Sequence, residues 1–212
     1  MPVSSKRKTA TIGILVGLLL SALDGTVVAT ALPQILDELH GFELYFLPTA
    51  LFMLFQTVSM PIWGRLSDLY GRGRFHLLAV AILIGGSVLC AMSKSMTWLV
   101  ASRAVQGLGA GGIMSLSFIM IADLYDLQER AKMQGAISSV WGLAAILGPQ
   151  LGAWITHAWS WQGIFYLNVP VGIASIILVQ SAWEKKTVEG KGKLDLPGVP
   201  TEIPEEPKLL FP

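Results

Sequence analysis

Residues Thr9–Pro33 read TATIGILVGLLLSALDGTVVATALP, twenty-five positions holding a single ionisable side chain, Asp24. An α-helix needs about 20 apolar residues to cross ~30 Å of hydrocarbon. This run is long enough, and five more follow at Phe42–Trp63, Phe75–Met92, Met96–Ile121, Met133–Trp159 and Ile164–Trp183. Helices satisfy their own backbone hydrogen bonds, which is the condition lipid imposes. The expected fold is therefore all-α: a polytopic membrane protein with six transmembrane helices in one bundle. A water-soluble fold is excluded.

Composition agrees, with 53% apolar and 14% charged residues against roughly 25% charged in a soluble domain. The charges are segregated. Lys6, Arg7 and Lys8 precede the first run, and Arg65, Arg72 and Arg74 lie between the second and third. Arg130 and Lys132 lie between the fourth and fifth, and Lys185, Lys186, Lys191, Lys193 and Lys208 follow the sixth. Thirteen of the fifteen Lys and Arg thus fall on one side. The other side carries Lys94 and an acidic first loop with Asp37, Glu38 and Glu43. Positive charge stays inside, so both termini are expected in the cytoplasm of a cell membrane.

Trp63 and Trp183 are read as interfacial indoles at inner run ends, and Trp98, Trp159 and Trp161 at outer ones. Trp141 is read as a core residue. A signal peptide does not fit a first run this long with five more behind it. The single Cys90 allows no disulfide within the chain and is read as packing filler. His40, His76 and His157 share no ligand spacing, so no metal is expected.

Two charged side chains lie well inside the runs, Asp24 and Arg103. Ionisable groups in a bilayer normally face a cavity or a partner. Asp24 is 15 residues past Thr9, roughly 22 Å from the inner side at 1.5 Å per residue. Arg103 is 5 residues past Trp98 on a run entering from outside, roughly 7 Å deep by the same rise. Both reach one level in the outer half and could share a cavity. Gln106, three positions on, lies on the face of Arg103, and Thr26 and Gln56 are weaker candidates. Burial penalises a charged carboxyl and a nearby guanidinium favours it. A carboxyl between those pushes can exchange a proton or sense a cation. The alternative is a static ion pair that only fixes helix packing.

Between the second and third runs stands Gly64-Arg65-Leu66-Ser67-Asp68-Leu69-Tyr70-Gly71-Arg72-Gly73-Arg74. Its glycines permit a tight turn, and Asp68 can pair with the arginines. In the fifth run, Gly148 and Gly152 of Gly148-Pro149-Gln150-Leu151-Gly152-Ala153 form a small-xxx-small pair suited to close helix packing. Pro149 removes a backbone donor and is expected to kink the run. Gly107 and Gly111 repeat the spacing in the fourth run.

The first of these stretches resembles the loop signature G-x-L-a-D-r-x-G-r-k of the major facilitator superfamily. Gly64, Leu66, Asp68, Gly71 and Arg72 match it, with Gly73 in place of the usual Lys. Leu23-Asp24-Gly25-Thr26 through Leu32-Pro33 is similar to L-D-x-T-v-V-x-x-A-L-P of the fourteen-helix drug:proton antiporters. Arg103-Ala104-Val105-Gln106-Gly107-Leu108-Gly109 resembles R-x-x-Q-G-x-G. Gly148-Pro149-Gln150-Leu151-Gly152 resembles G-P-x-x-G-G, with Ala153 replacing the last Gly. Trp161 through Gly172 resembles W-R-W-I-F-y-i-N-v-P-i-G, departing at Gln162 and Gly163.

The resemblance implies one major-facilitator half-bundle: residues 1–8 a cytoplasmic N-terminus, 9–183 the six-helix bundle, 184–212 a cytoplasmic tail. The tail approaches a seventh helix at Leu194–Val199, then turns Pro- and acid-rich and is expected to be disordered. A truncated N-terminal half is expected, rather than a chain that rebuilds two halves as a homodimer. The implied function is proton-coupled efflux of lipophilic drugs. Asp24, Arg103 and Gln106 would couple proton to substrate, and Gly64, Asp68, Gly71 and Arg72 would form the cytoplasmic gate. Gly148, Pro149 and Gly152 would form a hinge and packing seam. The partners would be lipid, a lipophilic small molecule, protons and a second half-bundle, with no nucleic acid. The proton gradient would supply energy, and no cofactor is expected. The runs hold no nucleophile–base pair and the chain no phosphate-binding loop, so no enzyme is expected. The alternative is a non-transporting half-size membrane protein that assembles with or regulates another subunit.

Overall fold

A computed structural model of the chain describes residues 2–183, with side chains from Ser5 onward. The tail at 184–212 and its approach to a seventh helix lie outside the described residues. Among those described, all regular structure is helical: α1 (Pro2–Leu39), α2 (Leu47–Tyr70), α3 (Arg72–Ala91), α4 (Met96–Leu124), α5 (Leu127–Ala158) and α6 (Gln162–Ala182), with a short 3₁₀ turn at Phe42–Leu44. All six are long and apolar enough to cross a membrane, so the chain is a multi-pass membrane protein.

The helices outrun the apolar runs at several ends. The basic N-terminal stretch forms the first turns of α1, and Pro33 lies inside α1. Backbone hydrogen bonding continues where hydropathy stops, which hydropathy alone cannot register. α2 instead starts later than its run, because Phe42–Leu44 makes the 3₁₀ turn. Pro149 is accommodated inside a continuous α5.

α2, α4, α1 and α5 stand side by side in that order, and α3 and α6 pack behind α4 and α1. Short connections alternate the helix direction, so the N-terminus, the 70–72 turn, the 124–127 turn and the end of α6 share one end, called here the basic end. Gly71 makes the α2–α3 turn at φ 101°, a conformation L side chains resist.

α4 is the axis of this packing because its glycines let neighbours touch backbone. A Cβ on Gly107 would lie 2.5 Å from the Phe52 carbonyl of α2. One on Gly109 would lie 2.4 Å from the Leu83 nitrogen of α3. The α1–α5 seam is made the same way, with Gly148 against Thr26 and Gly152 against Thr30. The expected role of Gly148 and Gly152 in packing thus has a partner, α1.

Trp98 and Trp159 are exposed at outer helix ends as expected, but three other tryptophans depart from expectation. Trp161 is fully buried, and its Nε1 donates to Glu38 at 2.6 Å. Trp63 is buried with Nε1 donating to the Leu108 carbonyl at 2.9 Å, whereas Trp141 is 38% exposed. An indole is apolar with one donor, and both buried indoles described above have that donor paired.

Gly109→Ala is expected to lower stability by about 1–3 kcal/mol, because the new methyl meets backbone that cannot move aside. Gly85→Ala on α3, where the space is open, is expected to be neutral or stabilising. Thermal melts of both in lipid nanodiscs check this. Equal melting of the two would contradict it.

Candidate functional site

The core is divided in two. One apolar cluster, around Leu18, Leu83, Ile113 and Leu116, fills the basic end. The other, around Val28, Leu99, Trp161 and Phe165, fills the opposite end. Between them every one of α1, α3, α4 and α6 places polar side chains inward: Asp24, Ser87, Arg103 with Gln106, and Asn168. All are 4% exposed or less.

They close into a ring. Arg103 Nη1 donates to Asp24 Oδ2 and to Gln106 Oε1 at 2.6 Å. Gln106 Nε2 donates to Asp24 Oδ1 at 2.7 Å and to Ser87 Oγ at 2.7 Å. Asn168 Nδ2 repeats the pattern, reaching Asp24 Oδ1 at 2.7 Å and Ser87 Oγ at 2.9 Å. The Ser87 hydroxyl proton passes to the Leu83 carbonyl at 2.9 Å, and Cys90 Sγ donates to Gln106 Oε1 at 3.4 Å. The Asp24 carboxylate therefore accepts three N–H donors from α4 and α6. The Arg103 guanidinium carbon lies 4.0 Å from the centroid of Phe52 and 6.0 Å from that of Phe165, a placement that favours the cation.

Asp24, Arg103 and Gln106, chosen from the sequence as one group, are thus in direct contact. Thr26 and Gln56 are not part of it. The Thr26 hydroxyl donates to the Leu23 and Ala144 carbonyls, since two residues past Asp24 is about 200° around a helix. Gln56 Nε2 faces the Met114 sulfur at 3.8 Å. Ser87 and Asn168 belong to the ring although sequence reasoning gave them no role. The signal was present for Asn168, which shares a helical stripe with Gly172 and Ser175, all buried.

The loop motif forms a second cluster at the basic end. Arg72 donates to Asp68 at 3.1 Å and also pairs with Asp123 at the end of α4. It therefore ties the α2–α3 turn to α4. Gly64 makes ordinary contact with Ser115 and Ile119 of α4. A third tie joins α1 to α5, where Arg7 grips both carboxylate oxygens of Glu129 at 2.8 Å and lies 4.1 Å over the Tyr125 ring.

Removing one member of a buried ion pair strands the other, at a cost on the order of 3–5 kcal/mol. Arg103→Leu is expected to destabilise the bundle by about that much. The double variant Asp24→Asn/Arg103→Leu should recover most of the loss. A double-mutant cycle by thermal melting checks the coupling, and additive effects would contradict it.

The major facilitator superfamily model matches residues 14–210. Multidrug resistance protein 3 of Bacillus subtilis is 39% identical over 204 residues, which is 96% of this chain and 40% of that protein. Multidrug transporter protein MdtP of the same organism is 37% identical over 94% of this chain and 37% of its own length. The chain therefore spans about two fifths of these relatives. In structure, the human organic anion transporter MFSD10 (TETRAN) superposes with a TM-score of 0.69 at 22% identity, over 84% of this chain and 48% of that one. Half of such a transporter has the fold described here. The chain belongs to the major facilitator superfamily.

Proposed function

We propose that this chain is the N-terminal bundle of a proton-driven multidrug exporter in a cell membrane, with the basic end in the cytoplasm. The names of the two Bacillus subtilis relatives support the substrate class, and the segregation of Lys and Arg supports the orientation. The observation that carries the reading is a buried carboxylate joined through three hydrogen bonds to side chains of two other helices.

Asp24 is the proton carrier. Ionised, it accepts from Arg103, Gln106 and Asn168 at once. A proton arriving on Oδ2 neutralises the carboxyl, so the charge-assisted bonds from Arg103, Gln106 and Asn168 all weaken together. The ring then has to rearrange, and α4 and α6 shift against α1. Arg103 balances the charge while Asp24 is ionised, and Gln106, bonded to both, transmits the change. Proton loading thus becomes helix movement without any covalent step.

That movement acts on a second half-bundle, against which the first rocks. α2 and α5 are its expected docking faces, for they leave Met53, Val58, Ile62, Ile146 and Trp154 exposed. Asp68, Gly71 and Arg72 form the cytoplasmic gate, locked while Arg72 holds Asp123. Gly148, Pro149 and Gly152 let α5 move along α1, and Gly64 belongs with the gate loop.

Asp24→Asn in the transporter that carries this chain is expected to abolish efflux driven by a pH gradient, at least a hundredfold, while ethidium still binds. Everted membrane vesicles with an imposed gradient measure it. Gradient-driven efflux at the native rate would contradict the assignment.

A further inference from the structure

Besides the Gln162 amide oxygen near the opposite end, two buried polar groups among the described residues stand outside the ring without a hydrogen-bond partner: the His76 imidazole, at both nitrogens, and the Ser21 hydroxyl. Both residues are sealed, at 0% and 3% exposure. Leaving such groups unpaired is costly, so each calls for an explanation. Their placement offers one. Ser21 lies one turn from Asp24 along α1 toward the basic end, and Gly17 lies one turn further. A Cβ on Gly17 would stand 2.8 Å from Ser175 Oγ and 3.4 Å from His76 Nε2. The bare glycine thus lets an imidazole from α3 and a hydroxyl from α6 converge on α1. Beside the ring, between α1 and α6, a cavity of about 20 Å³ touches Asp24 and Asn168 but neither Ser21 nor His76, and it is large enough to hold one water molecule against the carboxyl. His76 itself is four residues from the start of α3, one turn from the basic-end loop.

We infer that the seam between α1, α3 and α6 is the exit path of the Asp24 proton, with His76 as its relay. This rests on Asp24 carrying a proton. The protonated carboxyl returns to carboxylate, and the proton passes by water and the Ser21 hydroxyl to one His76 nitrogen. The other His76 nitrogen releases its own proton toward the basic end, so the imidazole ends neutral. The atoms nearest a Cβ on Gly17 belong to Ser175, His76 and Ile113, of which only His76 can titrate. On α3 itself, Arg72 is held by Asp68 and Asp123, and Arg74 is exposed. The path runs behind α1 and α4, away from the exposed faces of α2 and α5, so protons and drug take separate routes.

Time-resolved infrared spectroscopy of the whole protein in liposomes, after a jump to alkaline pH, tests this. The Asp24 carboxyl band is identified by its loss in Asp24→Asn. His76→Leu and His76→Asn are expected to slow its deprotonation at least tenfold, and His76→Leu should melt no lower than the native protein. Ser21→Ala, which deletes only an unpartnered hydroxyl, should slow it at least threefold. Native rates in Ser21→Ala, or in either folded His76 variant, overturn the relay while leaving Asp24 as carrier. A spectrum in which Asp24→Asn removes no band overturns the carrier role instead, and the relay with it.

Discussion

A carboxylate sealed between two apolar clusters is tolerable only while its lone pairs are met by donors, and the three donors of Asp24 come from two helices that do not carry it. Charge burial therefore fixes how α1, α4 and α6 lie against one another. Ser87 adds α3, because it accepts from the two amides that hold the carboxylate. A purely apolar core would tolerate small slips of register between helices. This ring does not, since a slip of one residue breaks several bonds to a charged group at once.

Such closeness requires helices without bulk at their contacts. Gly86 meets Gln106 at the level of the ring, where a Cβ would stand 2.7 Å from the Gln106 Cα. Gly107, Gly109 and Gly111 then bring α2 and α3 against α4 on both sides. Helix association in lipid lacks the hydrophobic driving force available in water and depends on this kind of packing and on interhelical hydrogen bonds. Glycine contacts and polar ring are therefore two parts of one arrangement. Arg72 with Asp123 at the basic end and Glu38 with Trp161 at the other tie the helix ends to the same geometry.

The number and type of elements were legible because a run of some twenty apolar residues with one charge has hardly any other stable form in lipid. Contact between Asp24 and Arg103 was legible too, since depth along a helix follows from counting residues. What counting cannot supply is rotation. Thr26 sits two positions from Asp24 yet faces α5, and the stripe of Asn168, Gly172 and Ser175 marks an inward face of α6 without saying which helix the amide meets. The same gap explains the buried tryptophans: the Trp161 donor pairs with Glu38, 123 positions away. Gly148 and Gly152 announced a seam but not its partner, which the Thr26 and Thr30 contacts identify as α1.

The chain holds one cysteine, and Cys90 donates to the amide oxygen of Gln106 inside the ring. It is a built-in reporter of whether the ring is closed. The central claim is that neutralising Asp24 opens it. The direct measurement is the rate of Cys90 alkylation by a small maleimide across a range of pH, comparing native protein with Asp24→Asn in lipid. The Asp24 charge itself acts on the thiol, so the rates are compared per thiolate rather than at one pH. A rate several-fold higher in Asp24→Asn is the predicted result. Equal rates in two well-folded proteins would mean that the ring is a static brace, and that the charge on Asp24 moves nothing.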